Sequence, residues 1–315
     1  MVATGTNPNN LPNPINPTNP VPVTPSVFAR QSFIVPLPGQ RSLILGGRTF
    51  VMGILNLTPD SFADGGLFVD PARAVDAALQ MEADGADLID IGGESTRPGA
   101  EALPLETELA RVMPVIEALA LRLRAPISID TYKAEVASRA LAAGAAIVND
   151  VSALRYDPAL APVVAHTGAA LVLMHNRGRS RQMYQEAQYD SVVDEVVAEL
   201  AERVDAAVAA GVDRNRVVVD PGIGFAKHAA HSLELLARLP SLARLDRPLL
   251  VGPSRKSFLK AGLGDREPGD REWGTAAAVA AAVMGGAHIV RVHAVKEMVD
   301  VVRTIDALRE AGRAT

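Results

Sequence analysis

Ala86-Asp87-Leu88-Ile89-Asp90-Ile91-Gly92-Gly93-Glu94-Ser95-Thr96-Arg97-Pro98-Gly99 begins as an apolar run of strand length and ends as a polar loop. The change comes at an acid followed by two glycines. Gly92 and Gly93 let the backbone bend and approach a ligand closely. Thr96 and Arg97 bring donors for anionic oxygens, and Pro98 stiffens the exit. Alpha/beta enzymes present their chemistry in loops of this kind, at the carboxyl ends of buried strands. Taken alone, the loop reads equally well as a surface connection with a stray arginine. What decides between the two is that the same grammar recurs at nearly every other strand end.

Working outward, short apolar runs alternate with helical patterns. Strands are expected over Phe50–Leu55, Asp87–Ile91, Ile127–Asp130, Ala146–Asp150, Ala170–Met174, Val217–Asp220, Pro248–Gly252 and His288–His293. Helical periodicity lies between them, for example over Pro71–Ala83, Leu105–Leu121, Lys133–Ala143, Ser191–Ala210 and Gly274–Met284. Such alternation means parallel strands covered by helices. Eight units point to an α/β chain folded as a (β/α)8 TIM barrel. An open doubly wound sheet is the runner-up, but no strand leads into a Gly-x-Gly-x-x-Gly turn opening a helix. Ahead of the barrel, Ser32–Leu37 and Ser42–Leu45 flank Pro38-Gly39-Gln40-Arg41, a β-hairpin signal that predicts a lid on one end of the domain. Residues 1–31 are rich in Asn and Pro, and proline this dense forbids helix and interrupts sheet. They read as a disordered tail, leaving residues 32–315 as one barrel domain.

The bulk numbers narrow the function. The chain is 48% hydrophobic, enough for one large core, and its formal charge of -5 argues against nucleic acid or an anionic membrane as partner. It has no cysteine, so thiolate chemistry and disulfides are excluded. No apolar run reaches membrane-spanning length and no signal peptide opens the chain, so a cytoplasmic location is expected.

In a barrel, the strand ends Asn56, Asp90–Gly99, Asp130, Asn149-Asp150, Met174-His175-Asn176, Asp220–Phe225, Gly252–Ser257 and Arg291-Val292-His293 meet on one face. Asp130, Asn149, Asp220 and Lys256 form a central cluster. Asp and Asn accept from the amino and imino groups of a heterocycle, and Lys donates to its carbonyl or nitrogen. Arg97, Arg255, Arg291 and His293 make a cationic rim that suits a phosphate or pyrophosphate. Asn56 suits a hard ion such as Mg2+. Ser254-Arg255-Lys256 is expected to open a helix, a further anion site. Each residue also has a plain role: Asp130 and Asp220 as loop caps, Asn149 bonded to backbone, Met174 as core, Lys256 solvated. Coincidence at eight successive strand ends is much the less economical account. Glu195, Glu199 and Glu202 read as a solvated helix face.

Met52-Gly53-Ile54-Leu55-Asn56-Leu57-Thr58-Pro59-Asp60-Ser61-Phe62, Asp90–Gly99, Ser128-Ile129-Asp130-Thr131, Asn149-Asp150-Val151-Ser152, Asp220–Phe225, Ser254-Arg255-Lys256 and Arg291-Val292-His293, in this order, resemble the dihydropteroate synthase family. The resemblance runs over roughly residues 33–310 and implies the same (β/α)8 barrel. It implies a transferase of folate biosynthesis that condenses 6-hydroxymethyl-7,8-dihydropterin pyrophosphate with p-aminobenzoate. On that resemblance Asp130, Asn149, Met174, Asp220, Phe225, Lys256 and Arg291 hold the pterin. Asn56, Thr96, Arg97, Arg291 and His293 take the pyrophosphate, with Asn56 as the Mg2+ ligand. Ser61, Phe62, Thr96, Pro98, Ser254 and Lys256 place p-aminobenzoate, the site that sulfonamides target. Asp130, Asp220, Lys256, Arg97 and Thr96 are the expected catalytic set, and a homodimer is implied. Where the family usually follows Arg-Val-His with Asp, this chain has Ala294. Two rival readings share the barrel: a pterin-binding methyltransferase domain of the cobalamin-dependent kind, and a non-catalytic pterin binder. The first needs neither Ser254-Arg255-Lys256 nor the Thr96-Arg97-Pro98 loop. The second should have lost Asn56, Lys256 or His293, and all three are present.

Overall fold

The computed structural model of the chain describes residues 30–58, 70–95, 100–178, 184–185 and 187–313. The expected tail lies outside the described residues as far as position 29. Eight parallel strands form the barrel: β3 (Phe50–Asn56), β4 (Leu88–Gly92), β5 (Ile127–Asp130), β6 (Ile147–Asp150), β7 (Ala170–Met174), β8 (Val217–Asp220), β9 (Leu250–Val251) and β10 (Ile289–Val292). They pair in chain order, and β10 pairs with both β3 and β9. A parallel bridge between Val219 and Leu249 joins β8 to β9 and completes the ring. β9 is shorter than expected. Pro248 has no N–H to donate to a ladder, although its carbonyl still accepts from Val219 N at 3.0 Å.

A helix follows each strand: α1 (Pro71–Ala83), α2 (Leu105–Ala120), α3 (Ala134–Ala142), α4 (Leu160–Thr167), α5 (Val192–Ala209), α6 (Ala229–Ala237), a short α7 (Lys260–Leu263) with α8 (Glu272–Met284), and α9 (Val295–Arg313). Their ends follow local chemistry. Asp70 caps α1 by accepting from Ala72 N at 2.9 Å, with Pro71 in the first turn where its missing N–H costs nothing. Gly168 closes α4 at φ 66°, a conformation that suits glycine. Pro114 sits inside α2, on its exposed side, where the freed carbonyl can reach water.

Period-two alternation sorts the strand residues. Ile89, Ile91, Ile129, Val148, Leu171, Leu173, Val217 and Val219 face the helices and belong to the larger core. Met52, Leu88, Ile147, Ala170, Val172, Val218, Leu250 and Ile289 face inward and join Val35, Leu37, Leu43 and Leu45 in a second core. Those last four come from the hairpin of β1 (Phe33–Pro36) and β2 (Ser42–Leu45), which therefore plugs the amino end of the barrel. The expected lid is a floor, and the opposite mouth remains for chemistry.

The barrel also takes in two residues before the boundary at 32. Arg30 is buried, donates to Thr49 Oγ1 at 2.7 Å and to the Gly46 carbonyl at 3.2 Å, also bonds the Ala287 carbonyl, and lies 3.4 Å from Asp306 on α9. The Gln31 carbonyl meets His288 Nε2 at 2.9 Å. Composition does not reveal this anchor, because it is one arginine at the end of a Pro-rich run. Removal of residues 1–29 is expected to leave thermal unfolding unchanged. Arg30→Ala is expected to destabilise the barrel by about 1–3 kcal/mol, the cost of leaving the buried Thr49 hydroxyl and the Gly46 and Ala287 carbonyls without this donor. Melting curves of the two proteins check both statements.

Candidate functional site

The carboxyl ends of the strands bring together the polar residues that alternation sends inward. Arg291 on β10 reaches across the barrel to two carboxylates. Its Nε donates to Asp90 Oδ2 at 2.5 Å and its Nη2 to Asp130 Oδ2 at 2.7 Å. Asp90 Oδ2 also accepts from Asn149 Nδ2 at 2.9 Å. Asp90 is wholly buried, so this carboxylate fixes side chains from β6 and β10 without touching solvent. Among the described residues, its Oδ1 has no hydrogen-bond partner. Nor has Ser128 Oγ, which belongs to the residue paired with Asp90 across β4 and β5. Burial pushes the Asp130 carboxyl up from its usual range, and the Arg291 charge pulls it back.

A second half of the cluster lies at the ends of β8 and β9. Asp220 is buried and its Oδ1 accepts from Gly222 N at 2.7 Å. Burial raises its pKa, opposed chiefly by Lys256. Lys256 Nζ donates to the Ile223 carbonyl at 2.6 Å and sits 4.4 Å from the centre of the Phe225 ring. Burial holds its pKa down to about 8, with Asp220 the main opposing influence. The loop needs its glycines. A β carbon at Gly222, which is at φ 66°, would fall 2.0 Å from the His175 carbonyl oxygen, and one at Gly224 would crowd the Lys256 side chain at 3.0 Å. Met174 is buried at the end of β7.

Ser254 is buried, and its hydroxyl lies 2.8 Å from His293 Nδ1, joining β9 and β10 ends. Asn56 ends β3 half-buried, and none of the described residues bonds its side-chain amide. The structure thus brings Asp130, Asn149, Met174, Asp220, Phe225, Lys256, Arg291, Ser254, His293 and Asn56 to one mouth. Ser61, Phe62, Thr96, Arg97 and Pro98 lie outside the described residues. Two expectations change. Arg255 turns away from the mouth to pair with Glu272 of α8. The segment after Ser254-Arg255-Lys256 is a single 3-10 turn, Ser257–Leu259, running into the four residues of α7, and so offers no extended helix start.

Three functional features escape the sequence. Asp90 lies within the motif, but nothing in one chain says that it ties Asn149 to Arg291. Glu195 and Glu199, read as solvated, instead clamp Arg177, with Arg177 Nη2 2.7 Å from Glu195 Oε2 and also paired to Glu199. Glu199 Oε2 further meets Arg155 at 3.1 Å. The third is Glu94. It accepts from Lys133 Nζ at 2.5 Å, Tyr132 Oη at 3.0 Å and Leu103 N at 3.1 Å, while Lys133 also pairs with buried Glu108. Both stems of the segment carrying Thr96 and Arg97 are thereby held to the barrel. No single residue type signals this clamp; it depends on the β5 and α2 positions that face one another.

Chemically, the mouth offers two buried carboxylates, an amide, a lysine and an arginine, all within electrostatic reach of one another. Such a set holds a flat, hydrogen-bonding ring edge-on and carries cations toward an anionic group at its rim. Among the described residues, no three His, Asp or Glu side chains converge on a metal site. A concavity of about 870 Å³ exists at the amino end, beside Arg48, Asp87 and Asp306. There Arg48 pairs with Asp87, and Asp306 with Arg30 and Arg309, at the end opposite the converging strand-end residues.

The family described as pterin binding enzyme matches residues 52–293. A dihydropteroate synthase of Synechocystis is 48% identical over 277 residues, which cover 88% of this chain and 96% of that one. A solved dihydropteroate synthase of Xanthomonas albilineans with 4-aminobenzoic acid superposes with a TM-score of 0.81 at 45% identity, covering 87% of this chain and 98% of that one. A Yersinia pestis dihydropteroate synthase in a sulfonamide complex gives a TM-score of 0.82 at 42% identity, covering 88% of this chain and all of that one.

Proposed function

We infer the function from the premise that this chain belongs to the pterin-binding enzyme family: it catalyses the dihydropteroate synthase reaction of folate biosynthesis. In that reaction 6-hydroxymethyl-7,8-dihydropterin pyrophosphate and p-aminobenzoate yield 7,8-dihydropteroate and pyrophosphate. The observation that carries this reading is the set of buried Asn149 and Asp220 with half-buried Asp130, Lys256 and Arg291 at one mouth. Its donors and acceptors match a pterin, and its cations match the leaving group.

Asp130, Asn149 and Asp220 accept from the pterin's N–H groups while Lys256 donates to its ring, with Met174, Phe225 and Arg291 as walls. The bond between the pterin methylene and pyrophosphate breaks, and the electron pair leaves with the pyrophosphate. Arg291 and His293, with Thr96 and Arg97, receive that anion. The positive charge left on the methylene spreads into the ring, where Asp130 and Asp220 stabilise it. The p-aminobenzoate nitrogen, placed by Ser61, Phe62, Thr96, Pro98, Ser254 and Lys256, attacks the methylene and then loses a proton. An aromatic amine needs no strong base for this, so positioning and electrostatics supply most of the acceleration. The p-aminobenzoate subsite is also where a sulfonamide competes.

Mg2+ fits the site in a limited way. Asn56 offers one amide oxygen at the rim with no bond to the described residues, a donor suited to an ion that keeps most of its water and arrives with a diphosphate. Bound there, Mg2+ supplies neutralisation of the leaving pyrophosphate's charge. The protein acts as a homodimer through barrel helices on the same reading.

The test is pyrophosphate release, with each substrate alone and then both together. Release that requires both substrates establishes the synthase. Tight pterin binding with no release dependent on p-aminobenzoate moves the chain to a methyltransferase-like or non-catalytic barrel.

A further inference from the structure

Among the described residues, Lys227 is the largest side chain to be fully buried, although it belongs to none of the groups that face the pterin. Its Nζ lies 2.8 Å from His175 Nδ1, 2.9 Å from the Phe225 carbonyl and 3.4 Å from the His175 carbonyl. These partners belong to two separate pieces of chain. His175 follows β7, with its N–H on the Asp220 carbonyl at 2.8 Å, and Phe225 ends the turn that follows β8. The amine sits directly beneath that turn, since a β carbon on Gly222 would come within 3.4 Å of it. Ala226, between Phe225 and Lys227, is held at φ 46°, a left-handed conformation that a residue with a side chain adopts only when its surroundings impose it.

We propose, resting on the synthase reading above, that Lys227 is a positioning residue for the pterin pocket. By tying His175 to the Phe225 carbonyl, it fixes the turn whose Ile223 carbonyl and Phe225 ring hold Lys256. Three observations converge on this role. The turn presents both contacts of Lys256, the Ile223 carbonyl and the Phe225 ring. Within the turn, the Phe225 N–H returns to the Gly222 carbonyl at 3.0 Å, so the segment moves as one piece. The other side of the brace is itself held, because His175 Nε2 lies 3.2 Å from Glu199 Oε2, close enough for an electrostatic contact though short of hydrogen-bond geometry. Burial above all keeps His175 neutral, with its pKa lowered to about 3, which leaves Nδ1 free to accept; burial also pushes the Lys227 ammonium well below its usual range, and the amine donates in either form. A methionine would fill the same space without burying an amine. Packing alone therefore does not account for a lysine here.

The experiment compares wild type with Lys227→Met, Phe225→Ala and the double variant, after circular dichroism has shown each to be folded. Lys227→Met is expected to raise KM for the pterin pyrophosphate about tenfold, with a clearly smaller rise for p-aminobenzoate, because Lys256 is only one of the groups that place that substrate. The Phe225→Ala loss is expected to shrink in the Lys227→Met background, because the ring is already misplaced there. Equal damage to both substrates, or full additivity of the two substitutions, overturns the proposal. If Lys227→Met does not fold, Lys227→Leu replaces it under the same criteria, and Lys227→Gln, which keeps a donor to the Phe225 carbonyl, is expected to recover most of the pterin KM. Should the wild type itself form no product, the fault lies in the synthase reading. The same cycle is then read by pterin calorimetry, where additivity again overturns the brace.

Discussion

Asp220→Ala is expected to weaken binding of the pterin pyrophosphate by about 10- to 150-fold, the equivalent of roughly 1.5–3 kcal/mol for a lost hydrogen bond to a charged group. Two losses combine. The pterin loses a buried acceptor, and Lys256 loses the main influence that keeps it protonated. In wild type, an interaction that needs protonated Lys256 is present below about pH 8 and fades as pH rises through that value. Without Asp220 the fading sets in at lower pH. Asp220→Asn separates the effects, because an amide oxygen can still accept from Gly222 N while the charge is gone. Isothermal calorimetry between pH 6 and 9 reads both variants. Near-normal affinity for Asp220→Ala would remove this carboxylate from the pterin site.

Asp90→Ala is expected to cost more in the folded state. It takes from half-buried Arg291 the carboxylate on its Nε, leaving only Asp130, and removes the acceptor of Asn149 Nδ2. Breaking one side of such a pair costs about 3–5 kcal/mol. Turnover is expected to fall at least 100-fold, because misplaced groups lose their orientation even where they survive chemically. Asp90→Asn retains an acceptor and should recover much of the stability but little of the rate. Denaturant unfolding and steady-state kinetics on the same preparations separate the two. A variant that is stable and fully active would mean Asp130 alone orients Arg291.

The strand ends were legible because alternation is rigid. With a period of two, Asn149 must face inward if Ile147 does, and Asp150 must face the helices, where it caps Ser152 and Leu154. The barrel followed from spacing for the same reason, and β9 fell furthest short, through a proline that the sequence displays. What stayed hidden lay between elements rather than along them. Lys227 reads as a loop lysine until β7 and β8 are set side by side. Glu199 reads as one more charge on α5 until Arg155 and Arg177 arrive from separate loops. Arg255 reads as a rim cation until Glu272, seventeen positions away, takes it. Each depends on a tertiary neighbour that no local pattern encodes.

The bond between Arg30 and Asp306 has a topological corollary. It brings the first described residue of the barrel against the last helix, at the end floored by the hairpin and opposite the mouth. The barrel's two ends therefore meet on its inert side. A short peptide joining the end of α9 to Arg30, with new termini cut in a helix-to-strand turn at that floor, should give a circular permutant that keeps the reactive face intact. By the same geometry, a second enzyme fused at either end would leave substrate entry unobstructed.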